Sequence, residues 1–101
     1  MQIRTEITNN RAVLHLNGRF DFAAHKEFRE ACEQTLASPN LQEIEIYLRG
    51  VDYLDSSALG MLLLLKDRSG KIGGKVHLSH CQASVRQILD IANFGKLFAI
   101  D

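Results

Sequence analysis

Val51-Asp52-Tyr53-Leu54-Asp55-Ser56-Ser57-Ala58-Leu59-Gly60 joins a strand to a helix. Upstream, Glu43-Ile44-Glu45-Ile46-Tyr47-Leu48 alternates polar and apolar side chains, the period of two that sets one face of a strand against a core. Downstream, Met61 to Leu65 is apolar throughout, which suits a helix buried on most of its circumference. Asp55 or Ser56 stands at the boundary, where a side-chain oxygen accepts from the first free helical amides. That same helix N-terminus carries spare N–H donors and a partial positive charge, so it accommodates a phosphate on a neighbouring serine.

Around this joint the chain supplies 101 residues, enough for one core and a single domain over residues 1–101. Twelve basic side chains balance twelve acidic ones, with no basic cluster, so nucleic acid is not an expected partner. The N-terminal Met1-Gln2-Ile3-Arg4-Thr5-Glu6-Ile7-Thr8 alternates and carries charge, unlike a signal peptide. The longest apolar run, Leu59 to Leu65, is far short of the roughly 20 residues a membrane helix needs, so no membrane insertion is expected. Cys32 and Cys81 are the only cysteines; two thiols in a chain without a signal fit a reducing, cytoplasmic setting.

The remaining elements follow from pattern and punctuation. Ile3, Thr5 and Ile7 alternate with Gln2, Arg4 and Glu6 as a first strand, and Asn9-Asn10 turns it into a second, Val13 to Leu16, that ends at Asn17-Gly18. Asp21 caps a first helix with Phe28, Ala31, Cys32, Thr35 and Leu36 on its inner face, stopped by Ser38-Pro39-Asn40. The third strand, Ile44 to Leu48, precedes a second helix over about Ser57 to Arg68. Gly73-Gly74 leads into a fourth strand, Val76 to Leu78. A third helix carries Val85, Ile88, Leu89 and Ala92 inward, and Leu97 to Ile100 forms a last edge strand. The expected class is α/β: a mixed sheet of four to five strands, opened by an antiparallel hairpin and covered by helices.

Spacing dismisses several chemistries. Gly70-Lys71-Ile72-Gly73-Gly74-Lys75 is not a phosphate-binding loop, because the first glycine is one position too close to the lysine and Val76 replaces the metal-binding hydroxyl. Ser56 lacks the glycine flanks of a nucleophile elbow. His77, His80 and Cys81 suggest a metal, but residues three apart on a strand face opposite sides, so His77 and His80 are expected to diverge as solvent-facing side chains. Asp52 and Asp55 suggest an aspartyl phosphate, yet the end of the second strand offers no further carboxylate pair to hold magnesium.

What sets Asp55-Ser56-Ser57 apart from an ordinary cap is its company: Gly18-Arg19-Phe20-Asp21 after a hairpin, and Gly73-Gly74 before the fourth strand. Together these resemble the STAS family, the anti-sigma factor antagonists of bacterial partner-switching systems, from the opening hairpin to Leu97-Phe98. The family's Asp-Ser-Ser/Thr-Gly-Leu-Gly motif is matched by Asp55-Ser56-Ser57-Ala58-Leu59-Gly60, with Ala58 in place of glycine. Alanine is the better helix former, so the helix tolerates the change.

The resemblance implies a binding module that is not an enzyme and holds neither cofactor nor metal. Ser56 is then the phosphoacceptor, with Ser57 as a supporting cap and secondary acceptor. The implied partners are a serine kinase that doubles as anti-sigma factor and has a histidine-kinase-like ATPase fold, a PP2C-type phosphatase, and a downstream regulatory protein. Asp21, Phe22 and His25 are placed on the partner-facing rim with Asp55, Ser57, Ala58 and Leu59, while Phe20 packs inward. The short standalone members are the nearest likeness, with outputs that include sigma factors and biofilm or motility control. Two alternatives stand beside this reading: an unphosphorylated subunit that binds a transporter ATPase, and a small hydrolase using Ser56.

Overall fold

Asn9 adopts a left-handed φ of 57° and turns β1 (Gln2–Thr8) back into β2 (Arg11–Phe20), an antiparallel hairpin in register from Gln2 opposite Asn17 to Thr8 opposite Arg11. The computed structural model describes all 101 residues. After β2 come a short 3-10 turn (Phe22–Ala24), α1 (His25–Leu36), β3 (Glu43–Leu54), α2 (Ser56–Lys71), β4 (Lys75–Ser79) and α3 (Ala83–Ile91). A second 3-10 turn (Phe94–Lys96) leads to β5 (Ala99–Ile100). The sheet order is β1-β2-β3-β4-β5, antiparallel in the first pair and parallel in the rest.

Each parallel connection steps one strand in the same direction, and right-handed crossovers then place α1, α2 and α3 on one face. That face holds the core. Leu14 and Leu16 of β2, Ile44, Ile46 and Leu48 of β3 and Leu78 of β4 are buried against Phe28 of α1, Leu62 of α2 and Val85 and Leu89 of α3.

The opposite face carries no helix and is filled by polar side chains satisfying one another. Glu45, only 9% exposed, accepts from Ser79 Oγ at 2.6 Å, pairs with Arg11, and lies 3.7 Å from His77 Nε2. Burial pushes the Glu45 carboxyl up, but the Ser79 hydrogen bond and the charges of Arg11 and His77 outweigh it and hold the group below its ordinary value. The Tyr47 ring sits between His15 (5.0 Å) and His80 (4.7 Å).

The structure departs from the sequence reading in the strand ends, in α2 and at two histidines. β2 and β3 do not stop at Asn17-Gly18 and Leu48; both continue to the rim, through register shifts between His15 and Asn17 and between Gly18 and Arg19. Gly18 takes φ 106°, and at Gly50 a Cβ would lie 1.8 Å from Asn17 Oδ1, so a bulge absorbs what reads locally as a strand end. α2 is less enclosed than its composition implies, since Leu63 and Leu64 are 39% and 54% exposed. His77 and His80 do not diverge: His80 is past β4 in a left-handed conformation (φ 57°), which swings its ring onto Tyr47 of the open face. His77, instead of facing solvent, is only 21% exposed between Glu45 and Asp101.

Candidate functional site

The extended β2 and β3 end side by side. Arg19 pairs with Tyr53 and Phe20 with Leu54, and the Asp55 amide donates to the Phe20 carbonyl at 3.3 Å. Two loops therefore leave the sheet from the same point, one opening α1 and the other α2.

Asp55 ties them together. Its extended backbone (φ −105°, ψ −179°) makes it the N-cap of α2, where Oδ1 accepts from the Ala58 amide at 2.8 Å. Its other oxygen, Oδ2, accepts from the Phe22 amide at 3.1 Å across the gap between loops. Asp21 stands beside it and caps the 3-10 turn through Ala23 (3.0 Å), while its second oxygen accepts from Arg19 Nε at 3.0 Å. Asp21 thus caps the turn rather than α1 itself, because three residues of 3-10 geometry intervene and α1 has Ala24 at its N-cap. The Arg19 guanidinium also lies 3.9 Å from the centre of the Tyr53 ring.

Ser56 is the first residue of α2 and is exposed; Ser57 is half-buried. With the Ala58 amide taken by Asp55, the amides of Ser56 and Ser57 are the helix donors left free of a protein partner. Capping belongs to Asp55 alone, since Ser57 contributes no cap hydrogen bond. Ala58 is fully buried, its methyl group forming part of the core, so only its backbone borders the rim. Leu59 is half-buried and packs against that core.

Phe22 is 72% exposed and stacks on the exposed His25, with ring centroids 6.0 Å apart and planes 26° apart. His25 leads into a shallow groove between α1 and α2, floored by Phe28, Cys32, Met61, Leu64 and Leu65. Burial pushes the Cys32 thiol up to about 12, against the smaller pull of Arg68, so it stays a neutral core group. Arg19 at the rim and the exposed Leu63 and Leu64 further along α2 are residues that sequence reading missed. A Gly-Arg-Phe-Asp run gives no local sign that the arginine will reach a tyrosine 34 positions later. No three His, Cys, Asp or Glu side chains come together to hold a metal.

Residues 2–101 match the family model described as the STAS domain. A STAS-domain containing protein of Pseudomonas aeruginosa is 47% identical over 86% of this chain and 84% of its own length. An anti-sigma F factor antagonist of Paenibacillus polymyxa is 24% identical over 99% of this chain and 87% of its own. Among solved structures, the anti-sigma factor antagonist SpoIIAA in its unphosphorylated form superposes with a TM-score of 0.84 at 18% identity, covering 99% of this chain and 88% of that one. Its phosphorylated form, from Bacillus, superposes at 0.75 with 18% identity and coverage of 99% and 91%.

Proposed function

The chain belongs to the STAS-domain family, and from that premise we propose that it is a phosphorylation-controlled partner-switching regulator with Ser56 as phosphoacceptor. A serine kinase of histidine-kinase-like ATPase fold, acting as the anti-sigma-type partner, modifies Ser56; a PP2C-type phosphatase reverses it. The unphosphorylated form binds the partner and the phosphorylated form does not. The fold shared with SpoIIAA, solved both unphosphorylated and phosphorylated, supports this reading.

The observation that carries it is the placement of Ser56: an exposed hydroxyl on the first residue of a 16-residue helix, next to two free amides and the half-buried Asp55. A phosphate there adds about −1.5 to −2 charges and three acceptor oxygens. The helix terminus tolerates the charge, so the fold persists. A partner surface fitted to a neutral hydroxyl beside Asp55 meets repulsion and desolvation instead. Coupling of ~1–3 kcal/mol, a usual size for such switches, changes affinity about 5–150-fold and suffices to exchange partners. Phe22, His25 and Asp21 make up the rest of the contact rim in this reading.

Ser56→Ala is then permanently partner-competent, and Ser56→Asp is folded but inert toward the partner. Incubation with the cognate kinase and ATP, followed by intact-mass and phosphopeptide analysis, tests the acceptor. Label confined to Ser57 or Asp52 would sink the assignment.

A further inference from the structure

β1 is the outer edge of the sheet: β2 pairs with one side of it and nothing pairs with the other. Six of its seven residues are exposed, and only Ile3 is half-buried. Long edges of this kind are usually blunted by a proline, a bulge or charged side chains, lysine above all. β1 has no proline, pairs with β2 in unbroken register, and carries one charge of each sign.

Its sequence, Gln2-Ile3-Arg4-Thr5-Glu6-Ile7-Thr8, is symmetric in residue character about Thr5, except that the two charges are opposite. We propose that two copies of this chain associate through β1, antiparallel, about a two-fold axis at Thr5, joining their sheets into one of ten strands. In that register Arg4 of each copy faces Glu6 of the other, Ile3 faces Ile7, and Thr5 faces Thr5. The faces agree as well. Arg4 and Glu6 lie on the open side, opposite His15 and Val13 of β2, and already form a 3.2 Å ion pair within the strand. Pairing turns two such couples into a four-charge ring. Ile3, Thr5 and Ile7 lie on the helix side, where Ile7, 47% exposed, gains an apolar neighbour.

The register is selective. Slipping by two residues one way sets Arg4 against Arg4, and the other way Glu6 against Glu6; like charges directly opposite are unfavourable. Slipping by one leaves the charges unmatched and puts the second copy's helices on the other side of the sheet. One feature opposes the contact: Glu27 and Glu30 of α1 line the groove along Ile3 and Thr5, and bring like charges towards the axis. The association is therefore a concentration-dependent equilibrium, not an obligate dimer.

Sedimentation velocity of the whole chain over a concentration series, with Arg4→Glu, Glu6→Arg and their equimolar mixture, tests it. Wild type shows a reversible dimer, and each single variant, now presenting four like charges at the axis, weakens it at least tenfold. The mixture recovers a heterodimer, because two glutamates on one strand then face two arginines on the other. Wild type that stays monomeric throughout, a dimer indifferent to both substitutions, or loss in both variants without recovery in the mixture overturns the proposal. Circular dichroism of each variant checks that the fold is retained.

Discussion

Asp55 does two things with two oxygens, and they are separable. Oδ1 caps α2 through Ala58, and Oδ2 holds the Phe22 amide of the neighbouring loop. Replacing a capping aspartate by alanine typically costs ~1 kcal/mol, and a lost hydrogen bond to a charged acceptor about as much again. Asp55→Ala is therefore expected to lower stability by roughly 1.5–3 kcal/mol in urea unfolding. Asp55→Asn keeps a cap acceptor but turns an amide donor towards Phe22, and falls between wild type and Asp55→Ala. The local half of this role was legible in the sequence, because a cap acts within three residues and needs only Asp-Ser-Ser before an apolar run. The bridge was not, since Phe22 lies 33 positions away and nothing local encodes where β2 ends.

The elements themselves show the same division. Hydrophobic period identified α1, α3 and the strand cores, since burial of one face imposes it, while an unbroken apolar run marked α2. The pattern failed at the ends of β2 and β3, where Asn17-Gly18 reads as a stop and the alternation ends at Leu48, although Gly50 leaves room for Asn17 and the pairing runs on. The turn from α2 to β4 offers a close-packing test. A Cβ at Gly74 would lie 2.6 Å from Ser69 Oγ, and that hydroxyl is buried without a hydrogen-bond partner. Ser69→Ala removes an unsatisfied polar atom and should be neutral or slightly stabilising. Gly74→Ala alone should cost about 1–3 kcal/mol, as overpacking does. The double variant should recover most of that, so a thermal or urea double-mutant cycle returns a coupling well above zero. Additive costs would mean that the Gly74 position is limited by something other than Ser69.

Across the whole molecule, Glu45 links β2, β3 and β4 by accepting from or pairing with Arg11, Ser79 and His77 on the face without helices. Its folded carboxyl lies below the unfolded value of about 4.3, so its contribution is present above that pH and lost as the pH falls through the folded value. Glu45→Gln keeps the shape and drops the charge. With Arg11 half-exposed and screened, it should cost roughly 1–2 kcal/mol at neutral pH. That cost should fade as the pH falls below the unfolded carboxylate value of about 4.3 and on through the lower folded value, where wild-type Glu45 also loses its charge. Urea unfolding of both proteins between pH 7 and pH 3 checks this, and a gap that stays constant or widens on acidification contradicts it.

Local chemistry by itself determined the order of strands and helices, the Asp55 cap and the exposed serine after it, because caps, turns and one-sided burial act over a few residues. The tertiary structure decided the rest. It ran β2 and β3 on to a common rim, set Asp21 and Asp55 side by side, buried Ala58 and exposed Leu63 and Leu64. It also gathered His15, Tyr47, His77 and His80 on one face. Each of these depends on which distant backbone lies alongside, a relation that hydrophobic period does not encode and that only packing against the completed sheet imposes.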